Sequence, residues 1–152
     1  MGVSQGALIV LLSVVIRLHA QTDVTQDFED WPHTILTGWG TYTNDGWVLS
    51  DGEVRPNRGG YGAPIDQQCG WLNDFDVSSN TWLLSPLLPY GAGEVSFQVR
   101  RNTGTSAENF WEVQHSTDGT NWITDEVFYS MQDAWQPVSA VVDVLEPVYV
   151  RI

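Results

Sequence analysis

Almost nothing in this chain reads as helix. Its apolar residues come instead in short segments that alternate with polar ones and are cut at intervals by Gly, Asp, Asn and Pro. Val95, Phe97 and Val99 alternate with Ser96, Gln98 and Arg100, and Trp111, Val113 and His115 alternate with Glu112 and Gln114. Val138, Ala140 and Val142 follow the same rule, as do Val148, Val150 and Ile152. A period of two puts one set of side chains on each face of a strand, one face buried and one wet. Asn44-Asp45-Gly46, between Trp39–Thr43 and Trp47–Ser50, is a strong hairpin turn, because Asn, Asp and Gly accept positive φ cheaply. Ser50-Asp51-Gly52 reads as a second turn, and Thr117-Asp118-Gly119 turns the chain into Trp122–Tyr129. Residues 56–70, rich in Gly and Pro and without period, read as a long surface loop. Roughly eight or nine strands at this spacing predict an all-β chain folded as a single antiparallel β-sandwich.

Charge narrows the partners. Nineteen acidic residues face six arginines and no lysine, for a formal charge of −13. Nucleic acid and anionic membrane surfaces demand a basic face and are excluded on this ground. Divalent cations and neutral ligands such as glycans are compatible. With 42% hydrophobic and only 16% charged residues the chain is too apolar to be a disordered acidic tail, and its length suits one domain.

Ala7–Ile16 is an apolar run broken only by Ser13. It has the length of a secretory core and falls short of the roughly twenty residues that span a bilayer. Residues 1–20 therefore read as a signal peptide cut after Ala20, with 21–152 as the module and a secreted or cell-surface destination. The initial segment has no Lys or Arg and Leu18 is large for its place, so a buried strand or helix of the fold is the alternative. Cys69 is the single cysteine. The core must hold without an internal disulfide, and Cys69 reads as a small buried hydrophobe rather than a reactive thiol. Arg151-Ile152 ends inside an alternating strand, which predicts an uncovered apolar edge, a missing last strand and further domains of a longer chain.

The order of several segments resembles a known family. These are Asp27-Phe28-Glu29, then Asn80-Thr81-Trp82-Leu83-Leu84-Ser85-Pro86-Leu87-Leu88, then Val95-Ser96-Phe97. Val113-Gln114-His115-Ser116-Thr117-Asp118-Gly119-Thr120-Asn121-Trp122 and Val148-Tyr149-Val150-Arg151-Ile152 complete the series. Over roughly residues 27–152 the chain is similar to the MAM-like and cleaved-adhesin modules of large secreted bacterial proteins. The resemblance implies a jelly-roll, concanavalin-like sandwich serving adhesion, glycan binding or domain spacing, often with a structural calcium. It implies an acidic calcium ligand at Glu29, with a partner on a closing strand that this sequence does not supply. Animal MAM domains carry several disulfide cysteines, so a chain with one is nearer the bacterial relatives.

Three chemistries follow from the residues. Glycan binding would use Trp39 and Trp47 beside the first hairpin turn, and Tyr61 and Trp71 in or beside the Gly-rich loop, because Trp and Tyr faces stack on sugar rings. Arg55 and Arg58 on the same loop would bond the sugar hydroxyls, whereas Trp82, Trp111 and Trp122 lie in strand segments and read as core. Calcium has two candidate clusters, Asp27, Glu29 and Asp30, and the loop Asn73, Asp74, Asp76 and Ser78, which is also a simple Asx-turn sequence. Hydrolysis is the rival. Glu108 and Glu112 would be about 13 Å apart along a strand, too far for a glycosidase pair, which leaves Asp74 and Asp76 as the acids of a hydrolase or lyase. His33 and His115 have no metal-ligand spacing around them and no nucleotide loop is present, so no organic cofactor is expected. The expected function is a non-catalytic extracellular module that binds a glycan or protein ligand, with a ligand-free spacer as the remaining possibility.

Overall fold

The structure, a computed structural model, describes residues 9–18, 23–31, 40–56, 68–72, 81–101, 110–129 and 134–152. Its strands are β1 (Ile9–Arg17), β2 (Val24–Gln26), β3 (Gly40–Asn44), β4 (Trp47–Pro56), β5 (Gln68–Leu72) and β6 (Trp82–Leu84). They continue as β7 (Ala92–Arg101), β8 (Phe110–Ser116), β9 (Ile123–Tyr129), β10 (Gln136–Val144) and β11 (Tyr149–Arg151). The chain is all-β, with two antiparallel sheets packed against each other as a β-sandwich. One sheet runs β10-β7-β1-β5, with β2 beside β1 as well, and the other runs β4-β6-β11-β8-β9, with β3 on β4.

Strand β4 serves both sheets. Val48–Ser50 pair with β6, while Gly52–Pro56 pair with β5. The crossing falls at Asp51, whose φ is 48°, where the register against β3 also slips. The turn expected at Ser50-Asp51-Gly52 is therefore a corner inside one strand. The residue types that favour a left-handed backbone serve a bulge as well as a turn. The Asn44-Asp45-Gly46 hairpin forms as read: Asn44 faces Trp47, and Asp45 and Gly46 have φ of 47° and 82°, a primed turn that matches strand twist.

The core follows the alternation. Val95, Phe97 and Val99 of β7, Trp111 and Val113 of β8, Ala140 and Val142 of β10 and Val150 of β11 are all buried. Trp111 stacks on Phe128 at 4.5 Å between ring centres and meets Phe97 edge-on at 4.7 Å, tying β7 of one sheet to β8 and β9 of the other. Cys69 is buried in β5.

Two N- and C-terminal expectations meet the fold differently. The apolar run has a place in the sheet: β1 pairs with β7 on one side and with β5 and β2 on the other, and Val14 and Ile16 are fully buried. At the other end, the uncovered apolar edge expected at Val150 and Ile152 is not there. Strand β11 lies between β6 and β8, Leu83 and Ile152 exchange backbone hydrogen bonds of 2.8 and 3.0 Å, and both apolar side chains are buried.

Candidate binding face

The outer face of the second sheet carries a constellation that alternation alone generates. A single row of paired residues crosses it: Thr43 on β3, Val48 on β4, Leu84 on β6, Arg151 on β11, Gln114 on β8 and Thr124 on β9. In the neighbouring row Ser50 faces Trp82, and Glu112 faces Val127. Their sequence neighbours Leu49, Leu83, Val150 and Val113 point the other way and are buried. One intervening strand, β11, separates β6 from β8, which puts the backbones of Trp82 and Glu112 about 10 Å apart across the face.

The polar side chains on this face hold one another. Arg151 Nε donates to Gln114 Oε1 at 2.6 Å, and its guanidinium lies 4.0 Å from the centre of the Trp122 ring. Gln114 Nε2 donates to Glu112 Oε2 and, at 3.1 Å, to the Thr124 hydroxyl, which in turn donates to the same Glu112 oxygen at 3.1 Å. Partial burial pushes the Arg151 guanidinium below its ordinary pKa, and the Glu112 carboxylate pulls it back up. The network thus holds one positive and one negative group. The Ser116–Asn121 turn borders it, with Tyr149 lying against Gly119.

The inner side of the same hairpin holds a second polar pair. His115 Nδ1 lies 2.8 and 2.9 Å from the two oxygens of Asp125. Asp125 is the extra residue where the β8–β9 register shifts. The pair arises ten residues apart across a hairpin, so no local spacing announced it. The nearby Ser116 hydroxyl is committed to the turn, donating to Asp118 and accepting from the Gly119 amide. That leaves the dyad without a nucleophile among the described neighbours.

Several expected site residues lie elsewhere. Trp47 is 4% exposed and packs in the core, because the tight hairpin turns it inward with Leu49; it is not a solvent-facing aromatic. Arg55 on β4 is opposite Cys69, and Trp71 on β5 is opposite Glu53, so the two lie at different positions of the β4–β5 ladder. Trp39, Arg58, Tyr61, Asp74 and Asp76 lie outside the described residues. Asp27, Glu29 and Asp30 are exposed on one turn, where Asp27 Oδ1 accepts from the Glu29 amide at 3.1 Å. Among the described residues, no three His, Cys, Asp or Glu side chains gather as a metal site. The reading of Trp111 as core holds, whereas Trp82 and Trp122 are half-buried on the outer face. The strand ends and the bulge at Asp125, three residues after Trp122, decide which face each ring takes, and neither is visible in the residue types. No protein-family model matches the chain, and no curated protein or solved structure matches it.

Proposed function

We propose that this protein is a secreted or cell-surface, non-catalytic module that binds a neutral glycan on the outer face of its second sheet. The observation that carries the proposal is the fixed pair of Arg151 and Gln114 beside the Trp122 ring, with Trp82 further across the same face. Aromatic planes take the apolar faces of sugar rings, and amide, hydroxyl and guanidinium groups take the hydroxyls. The acidic chain and the internal balance of Glu112 against Arg151 favour an uncharged ligand over an anionic one. The jelly-roll resemblance supports the same class of function. Calcium enters only as a stabiliser of the Asp27–Trp31 turn, and melts with and without chelator test it.

Glycan-array binding by the wild type and by Trp82→Ala, Trp122→Ala and Gln114→Ala variants tests the site. At least tenfold weaker binding with unchanged melting would support it. Full binding by all three variants would refute the face, and a wild type that binds nothing on the array would favour a protein ligand or a spacer.

A further inference from the structure

We propose that the groove between β7 on one side and β5 and β2 on the other is a strand-acceptor site in the processed chain. Its occupant is an extended segment of a partner protein, with β-branched apolar residues at alternate positions and a basic residue facing Glu94. The inference rests on the extracellular reading above, because removal of residues 1–20 is what opens the groove.

In the full chain β1 fills this place and defines what fits it. It pairs along β7 from Ile9 opposite Arg101 to Arg17 opposite Glu94. On its other edge Ile9–Leu11 pair with β5 and Val14–Ile16 pair with β2. Val14 and Ile16 enter the core with no exposed surface, while Ser13 and Val15 stay half-buried on the opposite face. Arg17 Nη1 reaches Glu94 Oε2 at 3.5 Å. A cut after Ala20 leaves the β7 backbone from Glu94 to Arg101 and the β5 backbone from Gly70 to Leu72 without their β1 partner, beside the inward Val95, Phe97 and Val99. Strand β2, which pairs with β1 alone, is released to re-form its ladder on the incoming strand. Such a gap takes a strand through main-chain bonds and selects it through alternate side chains.

The outer edges at β9 and β10 are worse acceptors. Strand β9 carries the register shift at Asp125, with that carboxylate turned inward to His115. Strand β10 carries Pro137 and a second register shift between Val141 and Val144, where Asp143 has φ of 51°. Bulges, prolines and inward charges are how sheet edges are kept from pairing. The acidic excess of the chain complements a basic donor.

The test starts from the full chain expressed in a secreting host. Intact mass gives the first residue, and a synthetic peptide of residues 9–18 with a soluble tail is then added to the processed protein. The expected result is a chain beginning at Gln21 that binds the peptide one to one, melts several degrees higher, and gains hydrogen-exchange protection at the amides of Glu94–Val99. Peptides carrying Val14→Asp or Ile16→Asp should bind at least tenfold more weakly. A chain beginning at Met1 overturns the proposal, since β1 then stays in place. So does a processed chain that ignores the peptide, whether folded or unfolded. Glycan binding measured on the same samples reports on the opposite sheet, so failure of one reading is distinguishable from failure of the other.

Discussion

The Phe28 ring lies directly over Gly70: a Cβ at residue 70 would sit 2.6 Å from Phe28 Cε1 and Cζ. Phe28 reaches this place with a left-handed backbone, φ 66°, and is fully buried against Trp31 at 5.7 Å between rings. Gln26 Oε1 accepts from the Phe28 amide at 2.7 Å, which fixes the bend. A bulky residue at positive φ is costly and persists only where its surroundings over-determine it. Here the buried ring is the compensation. Gly70→Ala should therefore destabilise the fold by about 1–3 kcal/mol through overpacking, and Phe28→Ala by about 3–5 kcal/mol. The two are coupled: in a Phe28→Ala background the Gly70→Ala change should cost almost nothing. Denaturant melts of the four proteins measure this, and additive costs would show that the ring is not what excludes the side chain.

Ser85 should be worth more than its size. Its hydroxyl is buried, donates to the Pro86 carbonyl at 2.8 Å and accepts from the Val150 amide at 2.9 Å, locking β6 to β11. Ser85→Ala leaves the Val150 amide buried without that acceptor, a loss of about 1–3 kcal/mol. Ser85→Cys should recover little, since sulfur accepts weakly. Hydrogen exchange at the Val150 amide is the direct readout, and it should accelerate in both variants.

The turn after β8 should carry part of the acid sensitivity. Asp118 Oδ1 accepts from the Thr120 and Asn121 amides at 2.8 and 2.7 Å, and Oδ2 accepts from Asn121 Nδ2 at 2.6 Å. The Asn121 backbone bond, then its side chain, then Thr120, hold the carboxyl well below the ordinary aspartate range. A depressed folded pKa contributes stability that is present above the unfolded value of 3.8 and is lost as pH falls below it. Asp118→Asn should flatten the drop in melting temperature below pH 4 that the wild type shows. An unchanged acid limb would place that sensitivity elsewhere.

How far the residues announced these features depends on how local each one is. The Asn44–Trp47 hairpin was legible because two adjacent residues with positive φ and flanking alternation specify a primed turn without outside help. Asp51-Gly52 was misread because a left-handed residue serves a corner and a turn alike, and only the pairing of β4 with β5 separates them. Trp111 and Trp122 look equivalent in sequence. Their faces diverge because the register slips between Val113 and Gln114, a decision made by β9. The apolar residues 7–16 suit a secretory core and a buried strand equally, since both ask for β-branched and aliphatic side chains over the same length. The Arg151–Gln114–Glu112 network joins residues from two distant strands, so no motif scan of one segment assembles it.

The His115–Asp125 pair gives the last prediction, with the opposite sign to Asp118. Burial raises the Asp125 carboxyl above its ordinary value, and the hydrogen bond and charge of His115 only partly offset this. The folded protein therefore holds this proton more tightly than the unfolded chain does. That contribution to stability is full below the unfolded value of 3.8 and is lost as pH rises through the raised folded value. With the carboxylate ionised, His115 Nδ1–H donates to it across the bulge, so the ring anchors an inward charge on an edge strand. Asp125→Asn keeps an acceptor for Nδ1–H and removes the charge whose desolvation is unfavourable. Its melting temperature relative to wild type should therefore improve steadily from pH 3 to pH 6. Asp125→Ala loses the acceptor too and should be the less stable of the two variants throughout that range. Parallel melting curves for wild type and Asp125→Asn at every pH would mean that the carboxylate is as well solvated in the bulge as in the unfolded chain.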